Sequence, residues 1–321
     1  GVLLNGRSYM LSILPEDYDT FFGYEPGELK SPGADEIEQL NKSLAPFFCR
    51  TNKNELGVPA PEPDEIVEVE ATADENSLLH ILSSACSSPF SRIIRTLQLE
   101  SDPAMLEQAI DQEDLEYVLD QVGEEFSDID YVDFSQTFYE SIDRARPTSK
   151  LLACEQLIER IVAQGRPVVV WCLFVRSISN LRRGLAEKGV DARAIYGGTP
   201  QEDRRAILDD FRAGRFTVLV TNPQTLAESV SLHSVCHDAV YFECSYNLVH
   251  LLQSKDRIHR LGLPDDQKTR YYFMRTTFES DGIPFSLDKV IYERLKEKEK
   301  IMLDAIDASC SSRTQATRWS S

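Results

Sequence analysis

From residue 148 onward, short apolar runs alternate with stretches of helical periodicity, and this alternation limits the possible folds more than any other feature. The runs fall at 168–173, 190–196, 216–221, 239–243 and 271–275. They are rich in Val, Ile, Phe and Tyr and too continuous for a sheet with one wet face, which predicts strands buried on both sides. Between them lie amphipathic helices. Leu151, Leu152, Leu157, Ile158, Ile161 and Val162 line one side of a helix that Ser149 can cap. Ile178, Leu181 and Leu185 face inward on the next, with Arg182, Arg183 and Lys188 outward. Thr199 and Pro200 suit the N-cap and first position of a third helix, which carries Arg204, Arg205, Ile207, Leu208 and Phe211. A helix at 247–260 separates the last two strands, and a long closing helix carries Leu287, Ile291, Leu295, Met302 and Ile306. Strands separated by helices predict an α/β fold with a parallel sheet covered on both faces.

The first half reads differently. Residues 1–13 form a short apolar segment, a Pro/Gly-rich loop follows, and 35–48 suit a helix. The VPAPEP run at 58–63 predicts a stiff extended connector. Ile66, Val67 and Val69 suggest a strand, and 76–143 read as helical and acidic. Between Glu113 and Asp133 acidic residues interleave with Leu115, Val118, Leu119, Val122, Phe126 and Ile129, the pattern of a solvated amphipathic face; a sharper alternative is a regulatory acidic surface. Residues 308–321 are Ser/Thr-rich and predict disorder.

The net charge of −19 argues against a nucleic-acid binder until its distribution is considered. Residues 1–148 hold 9 Lys/Arg against 31 Asp/Glu, whereas 149–300 hold 23 against 20. The second half is therefore free to meet phosphates. The seven cysteines are scattered, with no Cys-x-x-Cys, as in a reduced compartment; a cytoplasmic protein is expected, nucleoid-associated if bacterial. No apolar run is long enough for a membrane span, and no membrane partner is expected. A first residue of Gly rather than Met suggests a trimmed start or an excerpt of a longer protein.

The most informative stretch is 253–262, reading QSKDRIHRLG. Gln253, Arg257 and Arg260 fall four and three residues apart, so a continuous helix would show all three on one face. Placed beside the carboxyl edge of a parallel sheet, two guanidiniums suit a multiply charged phosphate. An ion-paired surface helix is the plain alternative.

This stretch resembles the last helicase motif of the Swi/Snf-like ATPases of helicase superfamily two, Gln-x-x-Asp-Arg-x-His-Arg-Ile-Gly, with Leu261 for Ile. Other segments fall in that family's order. Ser149-Lys150-Leu151 is similar to its Ser-x-Lys-Leu opening of lobe two. The strand and turn at 168–174, the Gly197-Gly198-Thr199 turn with Arg204, the 218–232 segment and the Tyr246-Asn247 turn follow. Upstream, 44–53 resembles the segment that ends lobe one. The wording of 231–262 resembles bacterial, phage-defence members.

The resemblance implies a RecA-like parallel sheet sandwiched by helices over 148–307. Residues 1–65 would end the first motor lobe and its linker, and 66–147 would be an acidic, mainly helical connector. It implies an ATP-driven translocase on double-stranded DNA, with ATP and Mg²⁺ bound mainly by a first RecA-like lobe. That lobe would be a partner absent from this chain, and the chain alone would not hydrolyse ATP. Arg260 is the implied arginine finger and Arg257 the second catalytic arginine; Gln253, Glu228 and Ser229 are the candidate nucleotide contacts. Arg176, Ser177, Thr199, Arg204, Arg205, Thr221 and Asn222 are candidate nucleic-acid contacts.

One departure is notable. The family's motif five is Gly-rich, ending in Gly-x-Asn-Leu, whereas 227–232 read AESVSL. Glu228 would repel a phosphate, although it could bond a ribose hydroxyl. No Gly-x-x-x-x-Gly-Lys-Ser/Thr loop occurs in the 321 residues, nor does a strand end in an Asp-Glu pair suited to magnesium. His233, Cys236, His237 and Cys244 match no common zinc spacing and read as a strand start with core cysteines, so no metal site is expected. Trp171 reads as core. The competing functional reading is a non-catalytic interaction module, a split or degenerate lobe whose acidic half binds a partner.

Overall fold

The computed structural model describes residues 3–4, 7–8, 53, 56–86, 89–108, 136–226, 230–280 and 282–316. The chain divides into two compact units, residues 52–297 and a second made of 1–51 with 298–321. In the second unit Leu3–Leu4 and Arg7–Ser8 form an antiparallel pair, Leu3 opposite Ser8. The expected helix at 35–48, most of the acidic stretch (109–135) and the segment 44–52 lie outside the described residues.

The larger unit is built on one sheet. Its strands are β1 (Glu65–Glu70), β2 (Val168–Trp171), β3 (Ala192–Ile195), β4 (Val218–Thr221), β5 (Asp238–Tyr241) and β6 (Arg270–Ser280). They run in the order β1-β6-β5-β2-β4-β3, every neighbour parallel. A short β7 (Ile283–Phe285) turns back antiparallel on the end of β6. The helices are α1 (Ala73–Ala85), α2 (Pro89–Ser101), α3 (Gln136–Arg144), α4 (Ser149–Ala163), α5 (Val175–Glu187), α6 (Gln201–Arg212), α7 (Leu248–Ile258) and α8 (Leu287–Ala316). This is the expected α/β architecture, a parallel sheet with flanking helices.

Alternation along β2 shows why both faces had to be apolar. Val169 and Trp171 belong to one core cluster, with Leu219, Tyr241 and Phe273. Val168 and Val170 belong to the opposite one, with Cys154, Ile158 and Leu181 of α4 and α5. The expected strand at Ile66 is real and joins the lobe's own sheet, Ile66 opposite Phe273. The helices before residue 148 are also tied in. Leu78, Leu82, Leu99, Phe138 and Ile142 form a third cluster closed by Phe278, while Ile94 and Leu97 enter the main core.

Three expected helix ends differ. Thr148, not Ser149, caps α4, its hydroxyl accepting from the Leu151 amide at 3.2 Å. Ser149 is drawn elsewhere: its amide and hydroxyl both donate to the Glu75 carboxylate. The third helix starts at Gln201, because Pro200 is extended at ψ 146° and Thr199 accepts instead from the Tyr196 amide at 3.0 Å. The closing helix continues to Ala316, into the stretch read as disordered, since Leu295 to Ile306 keep helical spacing.

Candidate functional site

The arginine segment follows from how α7 is held. Asn247 caps it, accepting from the Val249 and His250 amides at 2.8 and 3.2 Å. Leu251, Ser254 and Ile258 face the core, and Ser254 meets the Tyr241 hydroxyl at 2.9 Å. The helix then stops at Ile258, with His259 as C-cap at φ −127° and ψ 89°. Gly262 has φ +95°, a left-handed conformation that favours glycine.

Two expectations need correction here. Arg260 does not continue the helical face of Gln253 and Arg257, because the helix ends two residues before it. Nor does the segment sit at the carboxyl edge of the sheet. A crossover helix runs antiparallel to the strands it joins, so its last turn falls at their amino ends. Accordingly the Arg257 carbonyl accepts from the Leu232 amide at 2.8 Å, in the lead-in to β5. Arg257 is buried at 7% exposure, with Nη1 donating to the Val230 carbonyl at 3.3 Å. Burial, then the positive Arg260 beside it, lower its pKa against the opposing pull of Asp256. Arg260 and Gln253 are exposed. The segment thus offers one guanidinium embedded in the lobe and one presented outward.

The carboxyl edge carries the other candidates. Arg176 opens α5, but its Nε donates to the Asp102 carboxylate at 2.7 Å. Asp102 is a buried hub that also takes Arg146, Asn180 and the Ala104 amide. Burial pushes its carboxyl up, yet these donors, Arg176 first, outweigh burial and hold it below the ordinary range. Ser177 is buried and donates to Glu243 at 2.5 Å, which removes it from any ligand-facing surface. Glu243 also accepts from the Leu173 and Phe174 amides at 2.6 and 3.3 Å, capping α5 from a neighbouring strand.

Arg204 folds back on its own turn, donating to the Thr199, Gly197 and Tyr196 carbonyls at 2.7, 2.6 and 3.3 Å. It shapes the Gly197-Gly198-Thr199 turn, with Thr199 half-buried inside it; Arg205 is exposed. Thr221 and Asn222 are buried at the end of β4. Neither side-chain polar atom of Asn222 has a partner. Glu228 and Ser229 lie outside the described residues.

Among the described residues no cluster of His, Cys, Asp and Glu could hold a metal, and no helix is long and apolar enough to cross a membrane. The Cys236 thiol is buried, directed at the Pro167 and Asp238 carbonyls, and pushed up to about 12 by burial. Trp171 is fully buried. Sequence reasoning missed Asp102 and Glu243, whose roles depend on partners about 70 residues away. It noted Lys150 only through a motif.

Residues 149–262 match the family described as helicase conserved C-terminal domain. Switch 2 of Arabidopsis thaliana is 26% identical over 205 residues, covering 63% of this chain and 22% of the plant protein. Chromodomain-helicase-DNA-binding protein 6 of Homo sapiens is 22% identical over 299 residues, covering 87% of this chain and 11% of its own. The chain thus spans less than a quarter of the length of these relatives. Among solved structures, the C-terminal part of the Fun30 ATPase domain aligns with a TM-score of 0.52 at 17% identity, covering 74% of this chain and 89% of that one, which shows a shared fold. Residues 149–262 thus carry the helicase conserved C-terminal domain on a parallel sheet with flanking helices, the fold of the Fun30 ATPase C-terminal part, and the chain is similar in sequence to Swi/Snf-related helicases.

Proposed function

We propose that this chain supplies the second motor lobe of an ATP-driven translocase on double-stranded DNA. On this reading a first RecA-like lobe holds ATP and Mg²⁺, and Arg260 reaches that nucleotide across the cleft as the finger. Arg257, embedded beside the Val230 carbonyl, is the second arginine of the same site. The observation that carries the reading is the pairing of an embedded Arg257 with an outward Arg260 on one short turn. A transferring phosphoryl group is best met by charge that is already oriented and supplied from a second body. Gln253, exposed on the same helix, is the remaining candidate for a nucleotide contact among the described residues.

DNA contact falls to the opposite edge of the sheet. The Gly197-Gly198-Thr199 turn, shaped by Arg204, and the exposed Arg205 are its candidates; phosphate contacts of this kind carry little sequence preference. Arg176 can join them only by leaving Asp102. The phage-defence setting and a cytoplasmic or nucleoid location belong to the same proposal and rest on the wording of 231–262 and on the reduced cysteines.

The test is steady-state DNA-stimulated ATPase activity of the full-length protein. Arg260→Ala is expected to lower kcat by about 10³-fold or more, the scale of a lost arginine finger, with DNA affinity nearly unchanged. Lys at this position should rescue poorly, because a point charge cannot reproduce the planar fork. A turnover number within a few-fold of wild type would refute the assignment.

A further inference from the structure

The turn that carries Arg260 is terminated by residues from another part of the chain. One more helical turn would carry Arg260 along the axis of α7. Instead the helix ends at Ile258, leaving last-turn carbonyls in need of donors. Lys53 supplies one: its Nζ donates to the His259 carbonyl at 2.8 Å and pairs with the Asp256 carboxylate. Lys53 is itself held in a tight turn. Its carbonyl accepts from the Leu56 and Val58 amides at 3.1 and 3.0 Å, with Gly57 left-handed at φ +72°.

The His259 ring completes the contact. Its Nε2 lies 2.8 Å from the Pro59 carbonyl, which can only accept, so Nε2 carries the proton. Nδ1 is then the acceptor, 3.4 Å from Lys53 Nζ. One turn earlier, Lys255 pairs with Asp64 at 3.0 Å, and the Tyr292 hydroxyl donates to the same carboxylate at 3.0 Å. Lys53 and the segment 56–64 therefore grip the last turn of α7 at three points, through Lys53, Pro59 and Asp64.

We infer that this segment is a latch that ends α7 and aims Arg260, with Lys53 and His259 as positioning residues. The inference rests on Arg260 being the finger. The Lys53–Asp256 pair contributes little by attraction alone, since its side chains are 41% and 51% exposed. What matters is its geometry: a cation on the final carbonyl favours termination and complements the negative end of the helix dipole. The charged groups facing His259 are Lys53 from the lead-in segment and Lys255 and Asp256 from α7. A proton added at Nδ1 would confront the Lys53 ammonium, so acid opens the latch.

The test compares Lys53→Met with Lys53→Arg. In the 321-residue chain, NMR titration of the His259 ring should move to higher pH in Lys53→Met, because a facing cation is lost. In the full-length protein, Lys53→Met should lower kcat by roughly 10- to 100-fold, the cost of a misplaced catalytic group, with DNA affinity unchanged. Lys53→Arg, which keeps a cationic donor, should stay near wild type in both. An unshifted His259 titration in Lys53→Met overturns the latch. A shifted titration with normal kcat overturns its positioning role, provided Arg260→Ala is slow. If Arg260→Ala is itself normal, the finger assignment has failed and the titration alone decides whether the latch exists.

Discussion

Lys150 shows how far this lobe relies on single buried charges. It is fully buried, with Nζ donating to both Asp288 oxygens at 2.8 Å and standing 3.6 Å from Glu100. Burial alone would favour its neutral form, but Asp288 and Glu100 lift its pKa. Glu100, buried with it and near Asp288, is driven well above the ordinary carboxyl range and toward its protonated form. These residues join α2, α4 and the start of α8 through one contact. Removing the cation leaves Asp288 buried without its partner. Lys150→Met is therefore expected to cost about 3–5 kcal/mol in urea unfolding, while Lys150→Met with Asp288→Asn should recover much of the loss. A single variant within about 1 kcal/mol of wild type would show that solvent reaches the pair.

At the scale of elements, the helices are legible in the sequence but their ends are decided elsewhere. Periodic leucines and isoleucines mark α4, α5, α6 and α8 because burial of one face dominates helix stability in proteins. Their caps depend on which polar group arrives first. Thr148 caps α4 while Ser149 is bound to Glu75 of α1, and the amides leading into α5 are met by Glu243, just beyond β5, rather than by the side chain of the cap residue Phe174. Thr148 is 1% exposed, so water cannot replace its hydroxyl. Thr148→Ala should cost about 1–2 kcal/mol, read from the urea midpoint at unchanged slope, with Ser restoring most of it. Ser149→Ala tests the same assignment from the other side: if Ser149 were the cap, its loss would be the larger one.

For the whole molecule, the division of charge is the organising fact. The described acidic residues after 64 do not stand apart, since β1, α1, α2 and α3 pack into the lobe. Asp102, from the acidic half, holds Arg176 of the near-neutral half. Stability should consequently depend on pH through several groups. Burial is the largest cause lowering His259; Lys53 adds to it, and the hydrogen bond to Pro59 opposes. Its folded pKa lies below the ordinary value of about 6.5, so the unfolded chain takes up the proton first as pH falls. The stability it contributes is complete above about pH 6.5 and is lost as pH drops through the folded pKa. Glu100 and Glu243 have raised values and act with the opposite sign. The histidine is isolated by comparison: between about pH 7 and about pH 5, His259→Gln should lose less stability than wild type. Equal losses would mean that His259 titrates as a free imidazole.

The amino-acid sequence by itself determined the parallel sheet, the helices that cover it, the Swi/Snf-like wording of 253–262 and the core positions of Trp171 and Cys236. These follow from local periodicity and short motifs, which need no knowledge of distant partners. Tertiary structure decided that β1 belongs to the lobe's sheet, because strand pairing is a choice of neighbour that no local pattern encodes. It decided that Ser177 and Arg176 are engaged internally, since Glu243 and Asp102 reach them from 66 and 74 residues away. It also decided where the arginines lie. Spacing alone put Arg257 and Arg260 on one helical face at the carboxyl edge. Crossover geometry sent that turn to the amino edge, and Lys53 and His259 meet where α7 ends.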